Sequence, residues 1–142
     1  MTEHIAREIC SPMGMEIACQ FTQEGQDLAY LVIDSTFEGR AAGGLRMLPD
    51  VSLEEIRLLA RSMTLKYAFL GLPQGGAKAG LRFDPEAPLE ERRAALRRFA
   101  QAAAPLLRAR VYAPHADMGT SRRYPFPFEK PRATPERPRG AP

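Results

Sequence analysis

The order of apolar and polar positions along the chain predicts a mixed α/β domain. Two runs rich in β-forming residues, MEIACQFT at 15 to 22 and LAYLVIDST at 28 to 36, are separated by polar turn residues, which is typical of a β-hairpin. A third short strand is predicted at 44 to 48. The run LAYLVI is apolar on both faces, and we expect it close to a sheet edge, where it would support self-association.

The segment after these strands has the period of an amphipathic helix. Ser52 stands at the N-cap position with Glu55 three residues later, which is the spacing of a capping box. From Ile56 to Leu70, apolar residues recur at helical spacing. Lys66 falls at the margin of this apolar stripe, so we expect its side chain to be partly buried.

Beyond the turn LPQGG, the segment AKAGLRF at 77 to 83 alternates as a β-strand does. Ala77, Ala79 and Leu81 share the face that a core would take, whereas Lys78 lies on the other face. The glycines around Lys78 predict an open space where a ligand could approach the backbone closely. A second helix is expected from about Leu89 to position 107, with a bend near the proline at 105, and then a short strand, RVYAP.

The last part of the chain has a different composition. Residues 122–142 hold six of the 13 prolines, six Lys/Arg against two Asp/Glu, and almost no aliphatic residues. This composition predicts a disordered, basic tail at 122–142 after one folded domain at 1–121. The body itself is nearly neutral, and acidic residues accompany the arginines of its second helix. We therefore do not expect a nucleic-acid partner.

Hydropathy and cysteine content exclude several classes of protein. The sequence has no apolar run of about 18 residues to cross a membrane and no apolar stretch behind a basic start, so we expect a cytoplasmic protein with no membrane partner. Cys10 and Cys19 are too few for a disulfide scaffold or a zinc cluster and form no CxxC pair, and no metal-binding residue is predicted. We interpret both as small apolar residues.

Lysine is rare in this chain, and its placement is informative. Of the 20 Lys+Arg, only Lys66, Lys78 and Lys130 are lysines. Arginine stays protonated at any working pH, whereas a lysine amine can lose its proton and then act as a base or nucleophile. Two of the three lysines lie close together around the glycine-rich stretch, which is a first indication of a site.

The glycine-rich stretch LPQGGAKAG is not a nucleotide-binding motif. A Walker A loop requires Ser or Thr after its lysine, and here Ala79 follows Lys78. The chain also has no GxGxxG sequence, so no cofactor-binding residue is predicted in it.

Three segments in order resemble the amino-terminal, substrate-binding and oligomerisation domain of the glutamate/leucine/phenylalanine/valine dehydrogenases. They are GGLRMLPDVSLEEI (43–56), MTLKYAFLGLPQGGAKAGLRFDP (63–85) and PHADMGTS (114–121), and the resemblance covers roughly residues 15 to 121. It implies a single mixed-sheet domain with flanking helices, in a homo-oligomer. It also implies reversible oxidative deamination of an L-amino acid to a 2-oxo acid, with NAD or NADP as cofactor.

The resemblance also implies roles for individual residues. Lys78 matches the family's catalytic lysine, which activates the water that attacks the imino acid. Asp117 matches the aspartate that relays a proton to and from the substrate nitrogen. Lys66 matches the lysine that binds the substrate α-carboxylate, and Gly43 and Gly44 match the backbone turn that borders the substrate.

Each of these residues also has a simpler interpretation. Lys66 could be a surface lysine whose stem covers apolar neighbours, and Asp117 could be a helix cap or turn residue before Gly119. The glycine pair at 43 and 44 could be a plain turn. The ordered set of motifs favours the functional interpretation.

The sequence departs from the family in two places. Members that act on glutamate place a lysine just before the GG of GGxR, where this chain has Ala42, so we expect an apolar or branched-chain substrate. The family also continues into a Rossmann domain, whereas this chain changes to a Pro/Arg-rich tail. We expect a dehydrogenase that is incomplete in this chain. The alternatives are a non-catalytic amino-acid-binding or assembly subunit and, from the tail alone, a proline-rich interaction protein.

Overall fold

The computed structural model of the chain describes residues 2–11 and 14–120, with side chains from Glu16 onward. Within these ranges the strands are β1 (Thr2–Ser11), β2 (Gly14–Gln23), β3 (Gln26–Ile33), β4 (Ala41–Met47), β5 (Gly75–Leu81) and β6 (Tyr112–Ala116). The helices are α1 (Leu53–Phe69), α2 (Leu89–Ala102) and α3 (Ala104–Arg108). The prediction of a tail at 122–142 lies outside the described residues.

The strands form one mixed sheet in the order β1-β2-β3-β5-β4-β6. Strands β1, β2, β3 and β5 pair antiparallel, whereas β4 runs parallel to both β5 and β6. The predicted hairpin is formed by β2 and β3, which are joined through Glu24 and Gly25 at positive φ of 51° and 76°. The carboxyl ends of β5, β4 and β6 therefore lie at the same end of the sheet. Helices flank the sheet, as predicted.

The run LAYLVI lies inside the sheet. It belongs to β3, which pairs with β2 on one side and β5 on the other, so the expectation that it lies close to an edge is wrong. Its residues from Ala29 to Ile33 are all buried. A strand covered on both faces carries apolar residues at successive positions, and that is the reason for the pattern.

The two faces of the sheet are covered by different helices. On one face, α2 contributes Ala95 and Phe99 to a core with Leu31 and Leu45, and the ring of Phe99 meets that of Phe21 edge-on at 5.8 Å. On the other face, Val32 and Tyr30 pack with residues of α1, among them Ile56 and Ala60. The fold thus has three layers, with the sheet in the middle.

Helix α1 starts where the sequence predicts. The Ser52 side chain accepts a hydrogen bond from the backbone N–H of Glu55 at 3.2 Å. Buried carboxylates on the sheet hold the helix further along: Arg57 Nε lies 2.7 Å from Glu16 Oε1 and Arg61 Nε lies 3.0 Å from Asp34 Oδ1.

The second predicted helix is divided in two. Helix α2 ends at Ala102 and α3 begins at Ala104, next to Pro105, whose ring and missing N–H cannot continue a helix interior. The strand that follows is displaced by two residues from RVYAP and spans Tyr112–Ala116.

Cys19 is buried, as interpreted from the sequence, whereas the Cys10 side chain is outside the described set. None of the described helices is long and apolar enough to cross a membrane.

Candidate active site

An ion pair joins Lys78 in the middle of β5 to Asp117, which follows β6. Ala77 and Ala79 are fully buried in the core between the sheet and α2, so strand alternation turns Lys78 toward the α1 face. Lys78 is itself buried, with 6% of its surface exposed. Its Nζ lies 2.5 Å from Oδ2 of Asp117. The two residues that the resemblance marks as catalytic are therefore in direct contact.

Asp117 is held by a turn through its backbone N–H. Its N–H donates to Thr120 Oγ1 at 2.9 Å, and Thr120 Oγ1 donates to the carbonyl of Leu45 at 2.7 Å. Gly119 takes a positive φ of 77° in this turn, and a side chain there would overlap the carbonyl oxygen of Met47. Asp117 is thus a turn residue, but its carboxylate is directed to Lys78.

Arg46 is a second cation at the same carboxylate. Its Nε lies 3.2 Å from Oδ2 of Asp117, and its Nη1 lies 2.6 Å from Oε1 of Glu55 on α1. Sequence reasoning did not single out Arg46. The signal was present, because alternation along β4 places Arg46 on the same face as Gly44.

The surroundings of Asp117 favour its ionised form. Burial acts to raise the pKa of this carboxyl, but the hydrogen bond from Lys78, the N–H of Met118 and the positive charges of Lys78 and Arg46 outweigh it. The pKa of Asp117 is therefore lower than that of an ordinary aspartic acid. At neutral pH the site holds a carboxylate between two cations.

Gly44 gives Lys78 the room to reach Asp117 across β4. A Cβ at Gly44 would stand 2.8 Å from Cβ of Asp117 and 3.0 Å from Nζ of Lys78. Gly43 serves a different purpose, because a side chain there would overlap the carbonyl of Ala77 on β5. Both glycines lie within β4, which confirms a strand at the position predicted for Gly44 and differs from the backbone turn that the resemblance implies.

Tyr112 forms a hydrogen bond with Gly43 from the core side of the sheet. Its hydroxyl donates to the Gly43 carbonyl at 3.1 Å, and Tyr112 is almost completely buried. Burial, together with the negative charge of Asp117 and the nearby Tyr67, raises the pKa of the Tyr112 phenol, so the group stays protonated and acts as a donor.

Lys66 is exposed, and the expectation of partial burial is wrong. Only Ile56 and Ala60 of α1 are buried, both in its first half, and near the end of the helix Lys66 lies between exposed neighbours, Leu65, Ala68 and Phe69. Among the described side chains none makes a hydrogen bond or ion pair with its ammonium group. The structure thus brings Lys78, Asp117 and Gly44 together and leaves Lys66 as an unpaired cation near the end of α1.

The glycines beside Lys78 do not leave open space. A side chain at Gly76 would overlap the backbone nitrogen and hydroxyl of Thr64, and one at Gly80 would meet Val51 and Ile56. Helix α1 and the residues leading into it fill those volumes. Small residues are needed here for the close approach of helix and strand.

The described residues do not fit a nicotinamide dinucleotide. A pyrophosphate site of the Rossmann type needs a glycine-rich loop that opens a helix, whose N-terminal N–H groups bind the phosphates. In this chain the glycine-rich segment from Gly75 onward is itself strand β5. No step of the chemistry is therefore assigned to the cofactor within this part of the chain.

Comparison with known proteins gives consistent results. The family model of the Glu/Leu/Phe/Val dehydrogenase dimerisation domain matches residues 16–124. NADP(+)-dependent glutamate dehydrogenase of Pyrobaculum calidifontis is 41% identical over 114 residues, which are 80% of this chain and 26% of that protein. Glutamate dehydrogenase of Thermotoga maritima is 47% identical over 49 residues, 34% of this chain and 12% of that protein.

Solved structures agree with this assignment. Hetero-hexameric glutamate dehydrogenase from Thermus thermophilus, in a Leu-bound form, superimposes with a TM-score of 0.64 at 26% identity, over 87% of this chain and 28% of that chain. L-tryptophan dehydrogenase from Nostoc punctiforme gives a TM-score of 0.59 at 26% identity, over 75% of this chain and 32% of that chain. The chain thus spans about a quarter to a third of these structures. By its dimerisation domain, the chain belongs to the Glu/Leu/Phe/Val dehydrogenase family.

Proposed function

We propose that this chain is the substrate-binding and oligomerisation domain of an NAD(P)-dependent amino-acid dehydrogenase. The reaction is the reversible oxidative deamination of an L-amino acid to a 2-oxo acid and ammonia. The observation that carries the proposal is the contact of 2.5 Å between Lys78 and Asp117, partly buried beside Gly44 in a domain of this family.

The pair can perform the proton transfers of this reaction. Lys78 Nζ and Asp117 Oδ2 are within hydrogen-bond distance, so a proton can pass between them without rearrangement. We assign to Lys78 the exchange of a proton with the water that attacks the imino carbon, and to Asp117 the exchange of a proton with the substrate nitrogen. A nicotinamide cofactor, when bound, would accept the hydride.

The charges around the site favour a substrate with one carboxylate. On β4, β5 and α1 four basic residues are already paired with carboxylates, and Lys66 is the remaining one. We assign Lys66 to the substrate α-carboxylate, with Gly43 and Gly44 forming the backbone beside it. Ala42 contributes a buried methyl group instead of a charge. An apolar or branched-chain amino acid fits this arrangement best.

Glutamate is a second candidate, because both curated relatives are glutamate dehydrogenases by name. A glutamate side chain adds a second carboxylate, which would require another cation or hydrogen-bond donors at the site. The two candidates therefore differ in whether the chain prefers a monocarboxylate or a dicarboxylate.

Side-chain NMR of the chain with two 2-oxo acids tests the proposal. We expect 4-methyl-2-oxopentanoate to shift the signals of Lys66, Lys78 and Asp117 at lower concentration than 2-oxoglutarate does. The Lys66→Met variant should weaken binding of both, and Ala42→Lys should improve binding of 2-oxoglutarate. Tighter binding of 2-oxoglutarate to the unmodified chain would favour glutamate. If neither acid shifts these signals, the assigned pocket is wrong.

A non-catalytic amino-acid-binding or assembly subunit is the alternative within the same family. It is favoured by the lack of a phosphate-binding loop among the described residues. Reduction of NAD or NADP by the purified chain with an L-amino acid would rule out this alternative and would also show that a cofactor site exists in it. We expect no such reduction, because hydride transfer needs the cofactor held beside the substrate carbon.

A further inference from the structure

A partly buried series of hydrogen bonds lies beside the segment that carries Lys78. The Thr64 hydroxyl on α1 donates to Oδ2 of Asp34 at 2.5 Å, and Ser35 Oγ lies 2.8 Å from Thr64 Oγ1. The backbone N–H of Gly76 donates to Ser35 Oγ at 3.1 Å. The series thus connects the end of β3, the second half of α1 and the start of β5.

The direction of donation along this series is fixed by chemistry. A backbone N–H can only donate, so Ser35 Oγ accepts from Gly76. An ionised carboxylate can only accept, so the Thr64 hydroxyl donates its hydrogen bond to Asp34. The hydroxyl of Ser35 must then donate to Thr64. Each hydroxyl donates once and accepts once, and the Asp34 carboxylate determines the orientation of both.

Stability does not by itself require a carboxylate at this position. The Asp34 side chain is only 1% exposed, and a buried ion pair is often no more stabilising than apolar side chains of similar size. Arg61 Nε lies 3.0 Å from Oδ1, but its N–H is not aligned for a hydrogen bond. Oδ1 therefore has no hydrogen-bond partner among the described residues. The effect of Asp34 is instead to fix the geometry of Thr64 and Gly76.

The network includes residues two positions before each lysine of the proposed site. Gly76 lies two residues before Lys78 on the same face of β5, and Thr64 lies two residues before Lys66 on α1. Asp34 also holds Gly76 through its own backbone, because its N–H donates to the Gly76 carbonyl at 2.9 Å. Gly76 is therefore fixed at its N–H, at its carbonyl and against Thr64.

We infer that Asp34 is a positioning residue, which acts through Thr64 and Ser35 to fix α1 against the start of β5 and thereby sets Lys78 on Asp117. This role rests on the proposed function, which gives Lys66 and Lys78 their importance. Asp34 itself touches neither the reacting groups nor Lys78.

The variants that test the inference remove one link at a time. Thr64→Val removes the hydroxyl and Thr64→Ser restores it, while Asp34→Asn removes the charge with little change of shape. Glu16→Gln is the matched control. Glu16 is also a buried carboxylate, 5% exposed, and pairs with α1 through Arg57 at 2.7 Å, but it has no contact with Gly76 among the described interactions.

Two NMR measurements on the full chain read out the position of Lys78. In Thr64→Val and Asp34→Asn we expect the Gly76 amide to exchange roughly two- to tenfold faster, because a hydrogen bond of its network is lost. We also expect the carboxyl of Asp117 to titrate at higher pH, as Lys78 moves away from it. Thr64→Ser and Glu16→Gln should leave both values unchanged.

The inference is overturned if the pKa of Asp117 in both Thr64→Val and Asp34→Asn equals that in the unmodified chain. It is also overturned if Glu16→Gln changes the pKa of Asp117 as much as those two variants do. Should both variants fail to fold, Ser35→Ala takes their place, since it removes the hydrogen bonds of Ser35 to Thr64 and Gly76 and leaves Asp34 paired with Thr64. Neither measurement depends on turnover. A chain that binds no 2-oxo acid but shows these changes would contradict the proposed function and retain the positioning role.

Discussion

Lys78 on β5 and Asp117 after β6 meet across the strand that lies between them. Strand β4 separates β5 from β6 in the sheet, and the missing side chain of Gly44 lets the lysine cross it to within 2.5 Å of the carboxylate. The contact therefore depends on three strands at once. It can be tested through the titration of Asp117.

Lys78→Met should raise the pKa of Asp117. The change removes a hydrogen bond and a positive charge that lower this pKa, while the raising effect of burial remains. Carboxyl carbon NMR across an acid titration measures the result. Lys66→Met is the control, because Lys66 is exposed and has no contact with Asp117 among the described interactions. An unchanged Asp117 titration in Lys78→Met would contradict the ion pair.

The folded chain should lose stability in acid partly through Asp117. Its pKa in the folded state lies below the unfolded value of about 3.9, so the ionised carboxylate stabilises the fold above that pH. The stabilisation is lost as pH falls from about 4 through the folded pKa. Asp117→Asn should cost about 1 to 2 kcal/mol at neutral pH, since the pair is partly exposed, and much less at pH 2. Urea unfolding at both pH values measures the difference, and an equal cost at both would contradict it.

Gly44→Ala should separate Lys78 from Asp117. The new methyl group would lie 2.8 Å from Cβ of Asp117 and 3.0 Å from Nζ of Lys78, so one of the two must move. We expect the pKa of Asp117 to rise and binding of 2-oxo acids to weaken. Gly80→Ala is the matched control, because its methyl group would instead meet Val51 and Ile56. That variant should lower stability without changing the Asp117 titration.

Much of the fold was predictable because local patterns agree with the tertiary structure. The β2–β3 hairpin follows from turn chemistry, and the start of α1 follows from Ser52 and Glu55. Alternation along β5 correctly placed Ala77, Ala79 and Leu81 in the core and Lys78 on the opposite face. In each case residues close in the sequence determine the outcome.

The errors concern contacts between residues far apart in the sequence. A strand that is apolar on both faces can be an exposed edge or a covered centre, and only its neighbours distinguish the two for β3. Glycines beside Lys78 can leave room for a ligand or for a helix, and in the structure helix α1 occupies that room. Arg46 was missed for the same reason, because its partners Glu55 and Asp117 come from two other segments.

The outward face of α1 provides the test of the proposed self-association. Leu58 and Leu65 are exposed there, and Phe69 exposes 90% of its surface. An apolar patch of this kind is typical of a protein interface, and β3 is unavailable for that purpose. Phe69→Glu should weaken self-association at least tenfold in analytical ultracentrifugation, about 1.4 kcal/mol. Gln101→Glu on α2 should have no effect. A monomeric unmodified chain at high concentration would contradict the proposal.

The position of β6 as the last of the described strands has a consequence for biosynthesis. A ribosome makes β4 and β5 well before β6, so Lys78 is present in the nascent chain while its partner Asp117 has not yet been added. Until β6 docks, β4 has one unpaired edge, and that edge includes Gly43 and Gly44, which have no side chains to shield the backbone. A nascent domain in which β6 has not yet docked therefore exposes this edge of β4 to wrong strand pairing, and the exposure ends when β6 pairs with β4.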